Sequence, residues 1–532
     1  NSVILYGMDE EKSPISIEIE EDSKNDKEPK DIQPTSKEWK SLRKVSDKIP
    51  IAVWFVVVCE LCERFTYYGV SGPFQNYVQF PERTEVDGQA GAIGAGQQVA
   101  TSLSYFFQFF CYITPIFGAI LADKYFGRYK TILIFSLIYV LGLIILTVTA
   151  IPPAIKAHYS LPGLIVAMVI IGLGTGGIKP NVSPLSADQY TKTQAFIKIL
   201  KSGERVIVDP QITLQSIFHY FYLAINVGSL SVILTTNFEK YFSYWLTYLI
   251  PLIMFMIAIF VLIFGRHKYV KKPPEGSAIF DFSYVIWIAF INGRDLENAK
   301  PSNMSKEELQ KRNITWNDEF VDQSRDGLRA IKAFAFFPFY WVAYNQMYNN
   351  LVSQAATMDV GSIPNDIMYN IDTITVIILT PFANSILYPV LQRFGINLGF
   401  LIKFLWGFIF VSAAMFYSAY VQQIIYNASP GLISVWVQTP AFVLIGLSEV
   451  LLGITALNYS YYMAPDPLKS TITAVYLTAI GFGNLIGLAI VPIAKDPYLV
   501  HMYLALGIIS IIAGFSLYWF FGDIDDKMNQ RK

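Results

Sequence analysis

Twelve apolar runs of membrane-spanning length occupy this 532-residue chain, at about 50–79, 93–121, 129–150, 161–184, 213–236, 243–265, 328–357, 369–391, 398–420, 431–463, 467–494 and 499–522. Each supplies the roughly 20 residues a helix needs to cross a ~30 Å hydrocarbon core. In lipid every backbone N–H and C=O must find its partner inside the protein, which leaves only helices or a closed barrel. The runs lack the even polar/apolar alternation of barrel strands, so they read as helices. The composition agrees, with 53% hydrophobic and 15% charged residues, against about 25% charged in ordinary soluble domains. The expected fold is an all-α membrane protein of twelve transmembrane helices, arranged as two six-helix bundles.

The polar stretches divide the chain into five parts. Residues 1–45 are rich in acids, lysines and serines and read as a disordered cytosolic tail. An N-terminal six-helix bundle follows at 46–265, then a charged insert at 266–327, a C-terminal bundle at 328–522 and a tail at 523–532. The insert opens on Arg266-His-Lys-Tyr-Val-Lys271-Lys272 and contains Ser305-Lys-Glu-Glu-Leu-Gln-Lys-Arg-Asn313, a pattern suited to a surface helix. Loop 2–3 holds Lys124, Arg128 and Lys130, and loop 4–5 holds Lys192, Lys198, Lys201 and Arg205, whereas odd-numbered loops carry only residues such as Arg83, Lys156, Lys240 and Lys495. Positive charge marks the cytosolic side, so both termini are expected there. The sequons at Asn303 and Asn313 would then stay bare, while Asn427 would be open to glycosylation. No short apolar segment with a small-residue cleavage site appears near the start of this numbering.

The remaining composition narrows the function. A formal net charge of −1 shows no basic excess, so nucleic acid is not an expected partner. Cys59, Cys62 and Cys111 lie in apolar runs without a His or Cys cluster and read as small core residues, with no metal site. There is no nucleophile triad, and Gly172-Leu-Gly-Thr-Gly-Gly177 sits inside a span, without the strand-turn-helix context of a phosphate loop. The chain does not read as an enzyme, and no cofactor is expected.

The first apolar run carries a contradiction at its centre: Glu60-Leu-Cys-Glu63-Arg64-Phe-Thr-Tyr67-Tyr68-Gly69. Each charge near mid-bilayer costs roughly 2.5–3.5 kcal/mol on insertion scales, so such residues persist where they serve a pathway. On a helix Glu60, Glu63 and Arg64 share one face. A carboxylate in low dielectric ionises readily only beside a cation, so moving Arg64 between the two acids would change which of them holds a proton. A static ion pair tying the helix to a neighbour is the other reading. Lys179 and Glu449 are further charges inside spans. In loop 2–3, Gly118-Ala-Ile-Leu-Ala-Asp123-Lys-Tyr-Phe-Gly127-Arg128 combines a turn glycine with charges suited to a helix end, and it also fits a plain positive-inside anchor.

Two sixes around an insert is the arrangement of major facilitator transporters, and the loop 2–3 sequence resembles that superfamily's motif. The first-run sequence in turn resembles the signature of proton-coupled oligopeptide transporters. Gly176-Gly-Ile-Lys179-Pro180-Asn181-Val-Ser183, Phe221-Tyr222-Leu-Ala-Ile225-Asn226-Val-Gly228-Ser229-Leu230, Ser448-Glu449-Val450 and Ala464-Pro465 through Lys469-Ser470 match in order. The resemblance covers about residues 45–522, and the acidic tail and charged insert look most similar to fungal di- and tripeptide:proton symporters. It implies alternating access driven by a proton gradient, with Glu60, Glu63 and Arg64 coupling protons to peptide. It assigns Arg64 and Lys179 to the peptide carboxylate and Glu449 to its amino group. Tyr67, Tyr68, Asn181, Asn226 and Asn370 are implied backbone partners, and Trp341 and Tyr476 side-chain pocket candidates. Gly118, Asp123, Gly127 and Arg128 form the structural motif. The implied setting is the plasma membrane, with peptides, protons and lipid as partners and a monomer as the working unit.

Departures from the family pattern matter as well. Ser71 stands where bacterial relatives carry arginine, Asn345 where they carry an acid before Gln346, Tyr105 where mammalian members place histidine, and Tyr476 where many have tryptophan. Proton coupling is therefore expected to rest mainly on Glu60 and Glu63. A peptide-sensing receptor, or a nitrate or other carrier of the same branch, are the alternatives.

Overall fold

A computed structural model describes residues 33–82, 89–200, 202–274, 276, 278–293, 295–394, 398–465 and 468–522. Residues 1–32 of the expected N-terminal tail, the expected tail at 523–532, and the loop charges Arg83 and Lys201 lie outside the described residues. The principal helices are α1 (Ile51–Ser71), α2 (Gln97–Leu121), α3 (Arg128–Thr149), α4 (Ser160–Asp188), α5 (Pro210–Ser229, resumed at Ser231–Tyr241) and α6 (Tyr244–Phe264), then α7 (Phe337–Tyr344), α8 (Asn370–Phe382), α9 (Phe400–Asn427), α10 (Thr439–Ser448), α11 (Lys469–Ile490) and α12 (Leu499–Phe520). Among the described residues nine of these, α2–α6 and α9–α12 with short extensions, are long and apolar enough to cross a membrane. This is a multi-pass membrane protein.

The other three expected runs depart from that pattern for identifiable reasons. α1 has 21 residues but carries Glu60, Glu63 and Arg64. α7 gives way at Asn345 to a 3-10 turn, and Asn349 leaves the helical region at φ −137° and ψ −81° before Asn350–Ala356 restarts under a side-chain cap from Asn349. α8 contains Pro381 and passes through a π-helical turn, Ala383–Leu387, into Tyr388–Arg393. A single run in the sequence is thus several short helices in space.

Two hydrophobic cores result, one drawn from α1–α6 and one mainly from α7–α12. Small residues set the closest crossings. A Cβ on Gly118 of α2 would stand 2.1 Å from the carbonyl oxygen of Gly176 and 2.7 Å from the Cα of Gly177 on α4. Those are backbone atoms that have nowhere to go. Gly118→Val is expected to cost about 3 kcal/mol or more of stability, at the upper end of overpacking effects. A melting curve of the purified variant in detergent checks this, and an unchanged midpoint would contradict the close crossing.

The described hydrogen bonds between the two halves all lie at one end of the bundle. Gln75 Nε2 donates to Ser353 Oγ (3.0 Å), Gln97 Nε2 to Asn350 Oδ1 (3.1 Å), and Asn76 and Asn365 exchange amide bonds at 2.8 and 2.9 Å. Ser353 Oγ donates to Gln79 Oε1 (2.6 Å) and Lys240 Nζ to the Ile363 carbonyl (2.6 Å). Deeper along this seam Gln346 Nε2 donates to Tyr105 Oη (2.6 Å). These hydrogen bonds across the seam join neutral groups and one lysine, beside the buried acids Glu239 and Asp366.

The chain before α1 is less irregular than expected. Ser36–Ser41 is a short helix with a capping box from Thr35 and Glu38. Strands Lys44–Val45 (β1), Phe196–Ile199 (β2) and Arg205–Val208 (β3) form a sheet of order β1-β3-β2, parallel between β1 and β3 and antiparallel between β2 and β3. Disorder up to residue 45 is therefore corrected for 36–45, because loop 4–5 folds into a hairpin whose edge supplies hydrogen-bond partners. Arg43 pairs with Glu204 at 3.0 Å and holds that carboxyl below the usual glutamate range. Within this small unit the fold is not all-helical.

The insert is also folded. The Ser305–Asn313 pattern forms the helix Lys306–Arg312, capped by Ser305 and ended by Asn313 at φ 48°. An apolar helix, Ala278–Ile291, lies beside it in sequence, and Val285, Ile288, Ala299, Trp316 and Val321 make a local core in which Trp316 Nε1 donates to the Ala299 carbonyl (3.1 Å).

Candidate functional site

α1 starts after Pro50 and is followed by Gly72-Pro73, and between them the spacing i, i+3, i+4, i+7 puts Glu60, Glu63, Arg64 and Tyr67 on one side. All four are buried, with Glu60 5%, Glu63 2% and Arg64 5% exposed. Arg64 Nε lies 3.3 Å from Glu60 Oε1, and the same guanidinium contacts Glu63 Oε2 directly. Its Cζ is 5.2 Å from the Tyr67 ring centroid. Glu63 Oε1 has no donor among the described residues. One cation is thus shared between two acids, with one carboxylate oxygen left over.

Glycine lets the neighbouring helix reach this cluster. A Cβ on Gly228 of α5 would sit 2.7 Å from Arg64 Cβ and 2.9 Å from Phe65 N, so the motif Asn226-Val-Gly228 marks a helix crossing. On α4, Lys179 Nζ stands 3.5 Å from the Tyr112 ring centroid, a cation–π contact, and forms no ion pair among the described residues. It is close enough to Glu60, Glu63 and Arg64 to feel their charge. An α4 ammonium without an acid of its own adjoins an arginine that has two.

The C-terminal half presents the opposite charge. Glu449 opens a π-helical turn, Glu449–Gly453, that interrupts α10, and such turns often accompany functional sites. Tyr344 Oη donates to Glu449 Oε2 (2.6 Å) and lies 3.4 Å from Asp372 Oδ2, so one hydroxyl of α7 joins acids of α8 and α10. Neither acid forms an ion pair among the described residues. Lys403, a basic residue in α9, lies over the Tyr388 ring at 4.1 Å. That argues against a salt bridge to Glu449 as its reason for being there.

The remaining expected residues fall into two groups. Tyr68 packs against both cores, and Tyr68, Tyr112 and Tyr222 stand in the field of Glu449 from the opposite half. Trp341 is 7% exposed, meets Tyr344 at a 5.0 Å centroid distance, and has an indole N–H without an acceptor among the described residues. Tyr476 Oη donates to the Gly453 carbonyl (3.2 Å) at the end of the π turn. The three asparagines donate to backbone carbonyls: Asn181 Nδ2 to Gly177 O (2.8 Å) and, on α2, Gly118 O (3.3 Å), Asn226 Nδ2 to Tyr222 O (2.9 Å), and Asn370 Nδ2 to Ile367 O (2.9 Å). Asn181 thereby braces the α2–α4 crossing.

The loop 2–3 motif is a helix junction. Ala122–Phe126 is a π-helical turn, Gly127 ends it at φ +73°, and Arg128 pairs with Asp188 at the end of α4, which also meets Lys272 Nζ at 2.8 Å. Asp123 takes part through its backbone, its carbonyl accepting from Gly276 N (3.1 Å). At these two sites Asp188 and Asp372 are acids that sequence reading passed over. Asp372 follows Asn370 by two residues in an apolar run, so the same cost argument that singled out Glu449 points to it.

The model of the POT family matches residues 129–508. The chain belongs to the POT family. It is 44% identical over 521 residues to the peptide transporter PTR_C of Candidozyma auris, covering 94% of this chain and 89% of that one. It is 40% identical over 511 residues to the peptide transporter PTR2 of Saccharomyces cerevisiae, covering 93% and 83% respectively. The crystal structure of the POT family transporter PepTSo superposes with a TM-score of 0.72 over 89% of this chain and 98% of that one, at 23% identity. These POT-family relatives are transporters rather than enzymes.

Proposed function

We propose that this POT-family protein is a proton-coupled symporter that imports di- and tripeptides by alternating access. The observation that carries the reading is the division of charge, with Arg64 and Lys179 in the N-terminal half and Glu449 in the C-terminal half. A peptide is a zwitterion and needs a cation for one end and an anion for the other. A bound peptide would bridge the halves and favour their closure. Relatives named peptide transporters, aligned over more than nine-tenths of the chain, support the substrate class.

In this reading all twelve runs cross the membrane, with α1 tolerating its charges because they pair with each other and α7 and α8 broken because they face the substrate path. Both termini are cytosolic and the protein lies in the plasma membrane. Proton and peptide meet at Arg64. A peptide carboxylate drawn to Arg64 and Lys179 competes with Glu63 for the guanidinium, and the acid released from its cation takes up a proton. No cofactor enters the cycle.

The test is uptake of a labelled dipeptide into proteoliposomes under an inward proton gradient, with an uncoupler as control. Accumulation above equilibrium that collapses with the uncoupler is expected. Saturable binding without uptake would favour a receptor, and nitrate uptake unaffected by peptide would favour an anion carrier.

A further inference from the structure

At the closed end of the bundle, two acids from opposite halves face each other. Glu239 lies in the last turns of the α5 extension and Asp366 in the 3-10 turn Asn365–Tyr369 ahead of α8. They are 2% and 0% exposed and within hydrogen-bonding reach of each other. Asn76 Nδ2 donates to Glu239 Oε1 (2.7 Å), and among the described residues Glu239 Oε2 and both oxygens of Asp366 have no hydrogen-bond donor. Neither acid forms an ion pair among the described residues. Around them stand Tyr244 and Tyr248 of α6, Tyr369 before α8, Asn365, and Lys240, whose ammonium is directed to the Ile363 and Gly361 carbonyls at 2.6 and 3.2 Å.

We propose that Glu239 and Asp366 are a proton-binding site, in which one proton shared between the two carboxyls latches the halves together at this end. Two ionised carboxylates in contact away from water repel each other and leave three buried oxygens unsatisfied. One proton turns the same contact into an O–H···O⁻ hydrogen bond that serves one oxygen of each acid and removes one of the two charges, a short and strong type. Because each half contributes one acid, the paired site exists only while the halves meet. By linkage, a proton that binds the joined pair more tightly than the separated acids shifts the equilibrium towards closure. The rest of the described seam is amide and hydroxyl hydrogen bonds together with Lys240 on backbone carbonyls, so the acid pair is the carboxyl site through which a proton acts on it. In the orientation proposed above this end faces outwards, and a proton taken from an acidic exterior would close the entrance behind its cargo. The site would also supply a protonatable group across the halves in a chain that has Asn345 in place of an acid on α7.

The test reads the seam itself and needs no peptide. Spin labels at Lys156→Cys and Leu432→Cys, exposed positions of opposite halves beyond the seam, report its opening in nanodiscs, the three native cysteines being buried. From pH 5.5 to 7.5 the closed-to-open ratio is expected to fall about tenfold in the otherwise unaltered protein. In Glu239→Gln and in Asp366→Asn, each of which lets an amide take the proton's place, the ratio should stay high and change less than about twofold. Two single variants are used so that one remains readable where the other fails to fold, a melting midpoint matching the parent marking a folded variant. A pH response unchanged in a folded variant, or absent from the parent, overturns the proposal whether or not peptide symport holds.

Discussion

Uphill uptake of dipeptide is expected to fall more than about tenfold in Glu63→Gln, while exchange of peptide for peptide across the membrane falls by no more than about threefold. Glutamine keeps the size of Glu63 and one acceptor oxygen, so the α1 packing survives. What it cannot do is exchange a proton. Arg64 is held by two acids, 3.3 Å from Glu60 and in direct contact with Glu63, so neutralising Glu63 leaves the guanidinium to Glu60 and the site still charged for a peptide carboxylate. Glu60→Gln should act in the same direction. Counterflow and gradient-driven uptake measured in parallel in proteoliposomes separate the two modes. Equal loss of both would return these residues to the static ion-pair reading.

Glu449→Ala is expected to raise the KM of free-amine dipeptides about tenfold or more, close to 1.4 kcal/mol of lost binding, and to leave amino-blocked analogues nearly unchanged. The ammonium of a peptide is the natural cation for a carboxylate that accepts from Tyr344, lies beside Asp372 and forms no ion pair among the described residues. Asp372 remains in this variant as a second acid on the same hydroxyl, which bounds the loss. Adding Asp372→Asn to Glu449→Ala should therefore deepen the discrimination against free-amine peptides. Competition uptake with matched blocked and unblocked dipeptides reads it directly. The same effect on both classes would make Glu449 a packing residue.

The candidate site was partly legible in the chain because charges in lipid-facing runs are costly and therefore conspicuous. Spacing alone placed Glu60, Glu63 and Arg64 on one face, and the burial of all three agrees with it. The glycines of Gly176-Gly177 and of Asn226-Val-Gly228 stood out as motifs, but the sequence gives no hint of which helix each admits. Gly228 faces α1, Gly176 faces Thr114 of α2, and Gly118 faces the Gly176 carbonyl, pairings between residues about 60 apart in sequence or more. Asn181, read as a ligand-facing amide, spends its N–H bonds on that same crossing. Local sequence cannot distinguish an amide that meets a substrate from one that bonds a neighbouring helix, because both need the same donor in the same apolar setting.

Hydrophobic length and charge placement by themselves determined that this chain lives in a membrane as two sets of helices around an insert, and which few residues bear charge there. Those properties are sums over the chain, set by transfer from water to lipid, and they do not depend on which helix meets which. Only the tertiary structure decided the pairings: Tyr344 joining Glu449 to Asp372, Arg128 reaching Asp188, Lys179 over Tyr112, and Glu239 against Asp366 across the halves. Each joins residues distant in sequence, and its energy depends on angstrom-scale approach in a low-dielectric interior. The breaks in α7 and α8 and the hairpin of loop 4–5 were decided there too, because packing partners override what a local run of residues prefers.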